Sequence, residues 1–220
     1  MKERNFCYLI MNLRLNQLFN SPFIHCSIEN WEFNKRRILS SLPEDTKNNL
    51  SSLHSKSNPV ELGSDNLYTD YYENSKLHKL PNYSNLVVEI IRPYLKQFAN
   101  ITYYPHKELH ITSMWYHRYY NNSEFQVHQH GSIGWSSIIY LEFDPNVHEG
   151  TLFYSTSGVH NPWHGSLQLN CPKINEGDMI IFPSNILHKS LKNTSNKRRT
   201  IISFNMLGVD NSPYIKVNVE

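Results

Sequence analysis

"EFQVHQHGSIGWSSIIYLEF", Glu124 to Phe143, decides how this chain is read. Its first half sets His128 and His130 one residue apart. In a strand, side chains two residues apart leave the same face, so the pair presents two imidazoles on one side. Its second half, from Trp135 onward, is a run of alternating and β-branched residues, the pattern of a strand. Outward from this stretch the period stays at two. Strands are expected near residues 110–120, 124–130, 133–143, 151–155, 166–170, 179–183, 187–191 and 199–207. Turn formers separate them: "NNS", "DPNVHEG", "HNPWHG", "PKINEGD" and "NTSNK". Many short strands with turns between them predict a β sandwich or barrel.

Upstream of about residue 100 the character changes. "NWEFNKRRILSSL" places Trp31, Phe33, Ile38 and Leu39 at helical spacing. "SNLVVEIIRPYLKQF" sets Val87, Ile90, Ile91, Tyr94, Leu95 and Phe98 on one stripe, with Ser84 or Asn85 as the cap. Pro93 is expected to kink this helix or to begin a new one. Between the two helices a Ser/Asn-rich stretch from Pro43 to about Leu67 reads as loop. The expected organisation is one domain over residues 1–220. Residues 1–105 form a helical and irregular support, 106–210 the β core and 211–220 a tail.

The 220 residues can bury a full core without covalent staples. A formal net charge of +2 supplies no field that would draw the chain to nucleic acid or to a membrane surface. The three cysteines, Cys7, Cys26 and Cys171, are odd in number and far apart. They build neither a disulfide frame nor a zinc knuckle, and a reducing cytoplasm is the expected compartment. The apolar run from Phe6 to Met11 is too short for a signal-peptide core, and no run has the length of a membrane helix.

Twelve histidines mean that most are ordinary, so pattern must single out any ligand. "EGDMIIFPSNILHKS" supplies a third candidate: a Gly turn, an apolar strand, a Pro bend, then His188 on the next strand. Arg199 follows at the head of "RTIISFN". Alternation puts Arg199, Ile201, Ser203 and Asn205 on one face and Thr200, Ile202 and Phe204 on the other. A guanidinium leading an apolar strand calls for an anion, because burying it alone is costly. Arg198 competes with Arg199 for that role. His117, Trp135, Trp163 and His164 are candidates for the mouth of the site, each with an ordinary packing role as its alternative.

The segments "MWYHRYYNNSEFQVHQHGSIGWSSIIYLEF", "EGTLFY", "EGDMIIFPSNILHKS" and "RRTIISFN", in that order, resemble the iron(II)- and 2-oxoglutarate-dependent oxygenases. The likeness is to their small prolyl-hydroxylase-like members and covers about residues 110–207. It implies a mainly β fold, a double-stranded β-helix or jelly roll, with supporting N-terminal helices. It further implies Fe(II) held by His128, His130 and His188, with positions left for 2-oxoglutarate and dioxygen. Arg199 and Tyr140 would hold the far carboxylate of the cosubstrate. The implied activity is hydroxylation of a small molecule or peptide, with succinate and CO₂ as co-products.

One departure from the family pattern is plain: His130 stands where the usual carboxylate ligand does. Three arrangements are open at this point. The metal takes three histidines, or Ser132 stands in the acid's place and leaves a position for halide or water, or Glu142 or Asp144 completes the site. Two other functions share the fold. A cupin-type three-histidine dioxygenase would not use 2-oxoglutarate, although positions 133–136 lack the glutamate of the first cupin motif. A metal-free jelly roll would serve only as a binding module.

Overall fold

The computed structural model describes residues 13–18, 21–46, 49–51, 66–103, 107–155, 169–207 and 215–219. Two antiparallel sheets face one another. The larger runs in the order β1 (Arg14–Leu18), β2 (Ser21–Ser27), β9 (Asp178–Pro183), β6 (Trp135–Glu142), β11 (Arg199–Leu207), β4 (Glu108–Tyr119) and β12 (Ile215–Asn218). A short β3 (Leu67–Thr69) also pairs with β4. The smaller sheet runs β5 (Phe125–His128), β10 (His188–Ser190), β7 (Thr151–Tyr154) and β8 (Leu169–Asn170). This is the expected jelly roll.

Alternation along the strands divides the apolar residues into two cores. Ile202, Phe204 and Met206 of β11, with Met114 and Tyr116 of β4 and Ile139 and Leu141 of β6, face the helices. Ile201 of β11 and Ile138 and Tyr140 of β6 face the smaller sheet, where Phe125, Phe153 and Phe182 complete the second core. The helical cover consists of α1 (Trp31–Ser41), α2 (Tyr71–Leu77) and α3 (Ser84–Ile101). Of the stripe read from the sequence, Val87, Ile91, Tyr94, Leu95 and Phe98 are buried on α3, joined by Val88 and Ala99, while Ile90 is only partly buried. Trp135 packs edge-on against Phe98, with ring centroids 5.1 Å apart, so it belongs to this helical side and not to the mouth of the site.

Four features differ from the sequence reading. α3 is one helix through Pro93 and does not begin anew there: it forgoes one interior hydrogen bond, and its apolar face is buried on both sides of the proline. Its N-cap is Tyr83, and Ser84 turns its hydroxyl back to the Pro81 carbonyl (2.7 Å). The first hundred residues supply strands as well as helices, since β2 zips onto β9 from Ile24↔Ile181 to Ser27↔Asp178. The segment read as a tail carries β12, paired with β4 from Ile215↔Ile111 to Asn218↔Glu108.

The Gly turn before β9 is a place where only glycine fits. Gly177 has φ +85, and a Cβ there would lie 2.7 Å from the Trp31 ring. Its N–H donates to the Tyr140 carbonyl (2.9 Å), and its own carbonyl accepts from Ile28 N–H (2.9 Å). The turn therefore ties α1, β6 and β9 together at one point.

Candidate metal centre

His188 is the middle residue of the site. It pairs across the smaller sheet with His128 on one side and Phe153 on the other. That register sets the His128 and His188 rings side by side, 4.3 Å apart at their centroids. His130 lies two residues past the end of β5, so strand pairing does not place it. Its N–H instead donates to the Ser184 carbonyl (2.9 Å) in the bend after β9. Its ring then comes to 5.1 Å from His188 and 5.4 Å from Trp115. The three side chains offer ligand atoms all within 4.8 Å of one another. No other such cluster exists among the described residues.

The orientation of the rings suits a cation. His128 Nδ1–H donates to the Gln126 carbonyl (2.7 Å) and His188 Nδ1–H to the Ile186 carbonyl (2.9 Å). Each bond fixes the tautomer and turns an Nε2 lone pair inward, the usual support behind a metal-bound imidazole. His130 Nε2 lies 3.3 Å from His188 Nε2. Two ligands at about 2.1 Å from one ion, at a right angle, lie about 3.0 Å apart, so this pair already has a workable spacing. Burial pushes all three histidines toward the neutral form, His130 down to about 3, with His128 adding repulsion to His130 and to His188. Neutral imidazole is the form that binds metal.

The acidic alternatives lie elsewhere. Glu142 accepts two hydrogen bonds from Arg198 (2.8 and 2.7 Å) and one from Thr200, which hold its carboxyl low against the opposing pull of burial. Asp144 pairs with Lys197 (2.5 Å). Ser132 is exposed.

Arg199 enters the interior as its strand face predicts, while Arg198 turns outward to Glu142. Arg199 is 2% exposed. It donates to the carbonyls of Glu149 (2.9 Å) and Leu191 (2.7 Å), and its guanidinium lies 4.3 Å over the Tyr119 ring. Among the described residues it meets no carboxylate. Burial accordingly pulls its pKa down, against the pull of Tyr119 and Tyr140. Tyr140 stands one position inward, paired across β11 with Ile201. Its hydroxyl donates to Thr151 Oγ1 (2.9 Å) and accepts from Thr151 N–H (3.2 Å). The interior thus holds three neutral imidazoles at one end and a guanidinium without a counter-charge at the other.

His117 is buried inside the barrel, 4% exposed, and not at an edge. It shares the inward face of β4 with Ser113, Trp115 and Tyr119, which register against Asn205, Ser203 and Arg199 of β11. Parity along β4 carries the signal for this wall, but parity does not say which face of an all-buried strand looks toward the site. Trp163 and His164 lie outside the described residues.

Residues 113–205 match the family model described as "Putative 2OG-Fe(II) oxygenase". No curated protein matches the sequence. The fold is similar to that of a Pseudomonas putida prolyl-4-hydroxylase, at 7% identity and TM-score 0.53, over 87% of this chain and 95% of that one. It is similar to a viral collagen prolyl hydroxylase of Paramecium Bursaria Chlorella virus-1, solved as a 2OG complex, at 12% identity and TM-score 0.53, over 84% and 96%. A 2OG-Fe(II) oxygenase-family oxidoreductase of Burkholderia pseudomallei aligns at 15% identity and TM-score 0.45 over 59% of this chain, which spans 58% of that protein's length.

Proposed function

We propose that this chain, a member of the iron(II)- and 2-oxoglutarate-dependent oxygenases, holds iron on His128, His130 and His188 and the cosubstrate's far carboxylate on Arg199 and Tyr140. Enzymes of this family use iron(II) as cofactor and 2-oxoglutarate and dioxygen as cosubstrates. The observation that carries the residue assignment is the convergence of three imidazoles, His188 buried and His128 and His130 partly buried, two of them with Nδ1 tied back to the backbone. Bound iron supplies the oxidising chemistry that couples decarboxylation of 2-oxoglutarate to oxidation of a substrate C–H bond.

The chain's own residues do the rest. His128 and His188 stay neutral and point Nε2 inward. His130 replaces a carboxylate and leaves the site one unit more positive than the usual family arrangement. That favours a dianionic chelating cosubstrate. Arg199 supplies a planar fork that fits a carboxylate better than a lysine would. The Tyr140 hydroxyl lies beside it. The aromatic floor of Phe125, Phe153 and Phe182 excludes water from the interior. A cupin-type dioxygenase has no use for a buried guanidinium aimed into its barrel. We assign hydroxylation of a small molecule or peptide as the reaction.

The test is anaerobic loading with Fe(II), metal analysis after desalting, and then succinate release on adding 2-oxoglutarate and air. Metal-dependent succinate formation is expected from the wild type and not from His188→Ala. Stoichiometric metal with neither succinate formation nor 2-oxoglutarate binding would favour the cupin reading.

A further inference from the structure

One buried group in the interior has no role in the assignments above. His117 Nδ1 lies 3.0 Å from the Tyr119 hydroxyl, which in turn donates to Ser190 Oγ (2.9 Å). The ring packs on Phe125, 4.8 Å away at the centroids. Its other nitrogen, Nε2, is buried and finds no hydrogen-bond partner in the protein among the described residues. Buried polar atoms are nearly always paired, so an orphan in a functional interior points to a ligand.

The position of the ring indicates which ligand. His117 lies across β11 from Ile201, in the row that contains Tyr140. On one side it meets Trp115 (6.5 Å between centroids), whose ring flanks His130 at 5.4 Å, and on the other Tyr119 (5.6 Å), over which the Arg199 guanidinium lies at 4.3 Å. A molecule spanning the histidine cluster and Arg199 must pass this ring.

We propose, on the oxygenase reading of this interior, that His117 is a cosubstrate-positioning residue whose Nε2–H donates to the 2-oxo-acid end of 2-oxoglutarate. In the ligand-free arrangement Tyr119 donates to Ser190, so Nδ1 carries the ring proton and Nε2 a lone pair. Two hydroxyl rotations reverse the chain. Ser190 then donates to Tyr119 and Tyr119 to Nδ1. The ring exchanges its proton with solvent as the ligand enters, so that one N–H is kept and moves from Nδ1 to Nε2. No net charge is created. That matters here, because three histidines around a dication, with Arg199 beyond, already make the interior positive, and a fourth cation would be repelled. A neutral N–H donor is the form this interior tolerates.

The experiment is an anaerobic calorimetric titration of the Fe(II)-loaded protein with 2-oxoglutarate, for the wild type, His117→Phe and His117→Gln. Phenylalanine keeps the ring contact with Phe125 and removes both nitrogens, and glutamine restores an N–H. Loss of a hydrogen bond to a charged acceptor should weaken 2-oxoglutarate roughly ten- to hundredfold in His117→Phe, with metal content unchanged and partial recovery in His117→Gln. A second readout is ¹⁵N NMR of the histidine rings in zinc-loaded wild type, zinc being diamagnetic and content with imidazole ligands. The His117 proton should move from Nδ1 to Nε2 when 2-oxoglutarate is added. Equal affinity in the wild type and His117→Phe, or an unchanged His117 tautomer, would overturn the assignment while leaving the oxygenase reading intact. A metal-loaded wild type that binds no 2-oxoglutarate would overturn both. If His117→Phe does not fold, His117→Gln and the tautomer measurement still decide.

Discussion

The two faces of β11 are built from one run of nine residues and do opposite things. Thr200, Ile202, Phe204 and Met206 look toward the helices, and the three apolar members pack in a core with Val87, Ile91 and Phe98 of α3. Arg199, Ile201, Ser203 and Asn205 look into the barrel, among histidines, tyrosines and serines. The helix-facing side gains its free energy from apolar area removed from water. The inner side gives up part of that gain. Among the described residues it holds a guanidinium with no carboxylate, an imidazole nitrogen with no partner and three imidazoles that burial keeps neutral. Groups of this kind are retained where a ligand completes them, which makes stability and function separable by residue parity.

The largest effect should come from the metal ligands. His188→Ala is expected to abolish stoichiometric iron while the chain still folds, read by metal analysis beside circular dichroism. His130→Asp should keep the metal, since it restores the usual ligand set of the iron(II)- and 2-oxoglutarate-dependent oxygenases that the sequence resembles, and His130→Ala should bind it far more weakly. Equal iron in the wild type and His130→Ala would show that His130 is a neighbour and not a ligand.

The helix-facing side breaks the other way. Phe204 is fully buried, and Phe204→Ala should cost about 3–5 kcal/mol of folding stability by lost burial plus a cavity. Denaturant midpoints measure it, and the molecules that remain folded should bind iron as the wild type does. Loss of metal affinity at a folded Phe204→Ala would mean that the two faces are coupled.

One charge tests how apolar that side is. Asp70 accepts from Tyr116 N–H (3.0 Å) and from the Tyr83 hydroxyl (2.9 Å), yet burial outweighs both and raises its pKa to about 6. A folded-state value above the unfolded one means that this group's contribution is fully present below about pH 4. It is lost as pH rises through about 6. At about 1.4 kcal/mol per pKa unit, Asp70 costs up to about 3 kcal/mol at neutral pH. Asp70→Asn should therefore be more stable than the wild type at pH 7, with the difference shrinking toward pH 4. A gap that widens on acidification would contradict it.

The smallest effect on the fold should come from Arg199, together with a clear loss of ligand. Arg199→Met keeps the bulk and removes an unpaired buried charge, so unliganded stability should hold or rise. Loss of a charge-assisted fork contributing about 1.5–3 kcal/mol should weaken 2-oxoglutarate ten- to hundredfold, with iron retained. Arg199→Lys should recover only part of it. Titration calorimetry beside thermal melts reads both halves. Unchanged 2-oxoglutarate affinity would make Arg199 structural.

Much of this was legible in the chain itself, because strand side chains alternate whatever the strand packs against. Parity pointed to His128 and His130 as a pair and grouped Arg199 with Ile201 on one face and Ile202 with Phe204 on the other, and the 3.6-residue period marked the stripe of α3. The sequence "EGDMIIFPSNILHKS" carried its Gly turn and bend locally, since Gly177 needs a positive φ that other residues resist. Other features were decided by tertiary structure, because they depend on partners far along the chain. β2 and β12 became strands when β9 and β4 offered unpaired edges. α3 ran on unbroken through Pro93 because its apolar face is buried on both sides of the proline, which outweighs one lost hydrogen bond. His130 reached His188 through the Ser184 carbonyl, 54 residues away, and not by strand pairing. Parity could not choose between Arg198 and Arg199: Glu142, on a neighbouring strand, took the first and left the second facing the interior. Nor could it show that His117 is buried with one nitrogen unpaired, since that requires Phe125, Tyr119 and Ser190 to close around it from two sheets. Alternation is a property of the backbone and can be read along it, whereas burial and pairing belong to the packed whole.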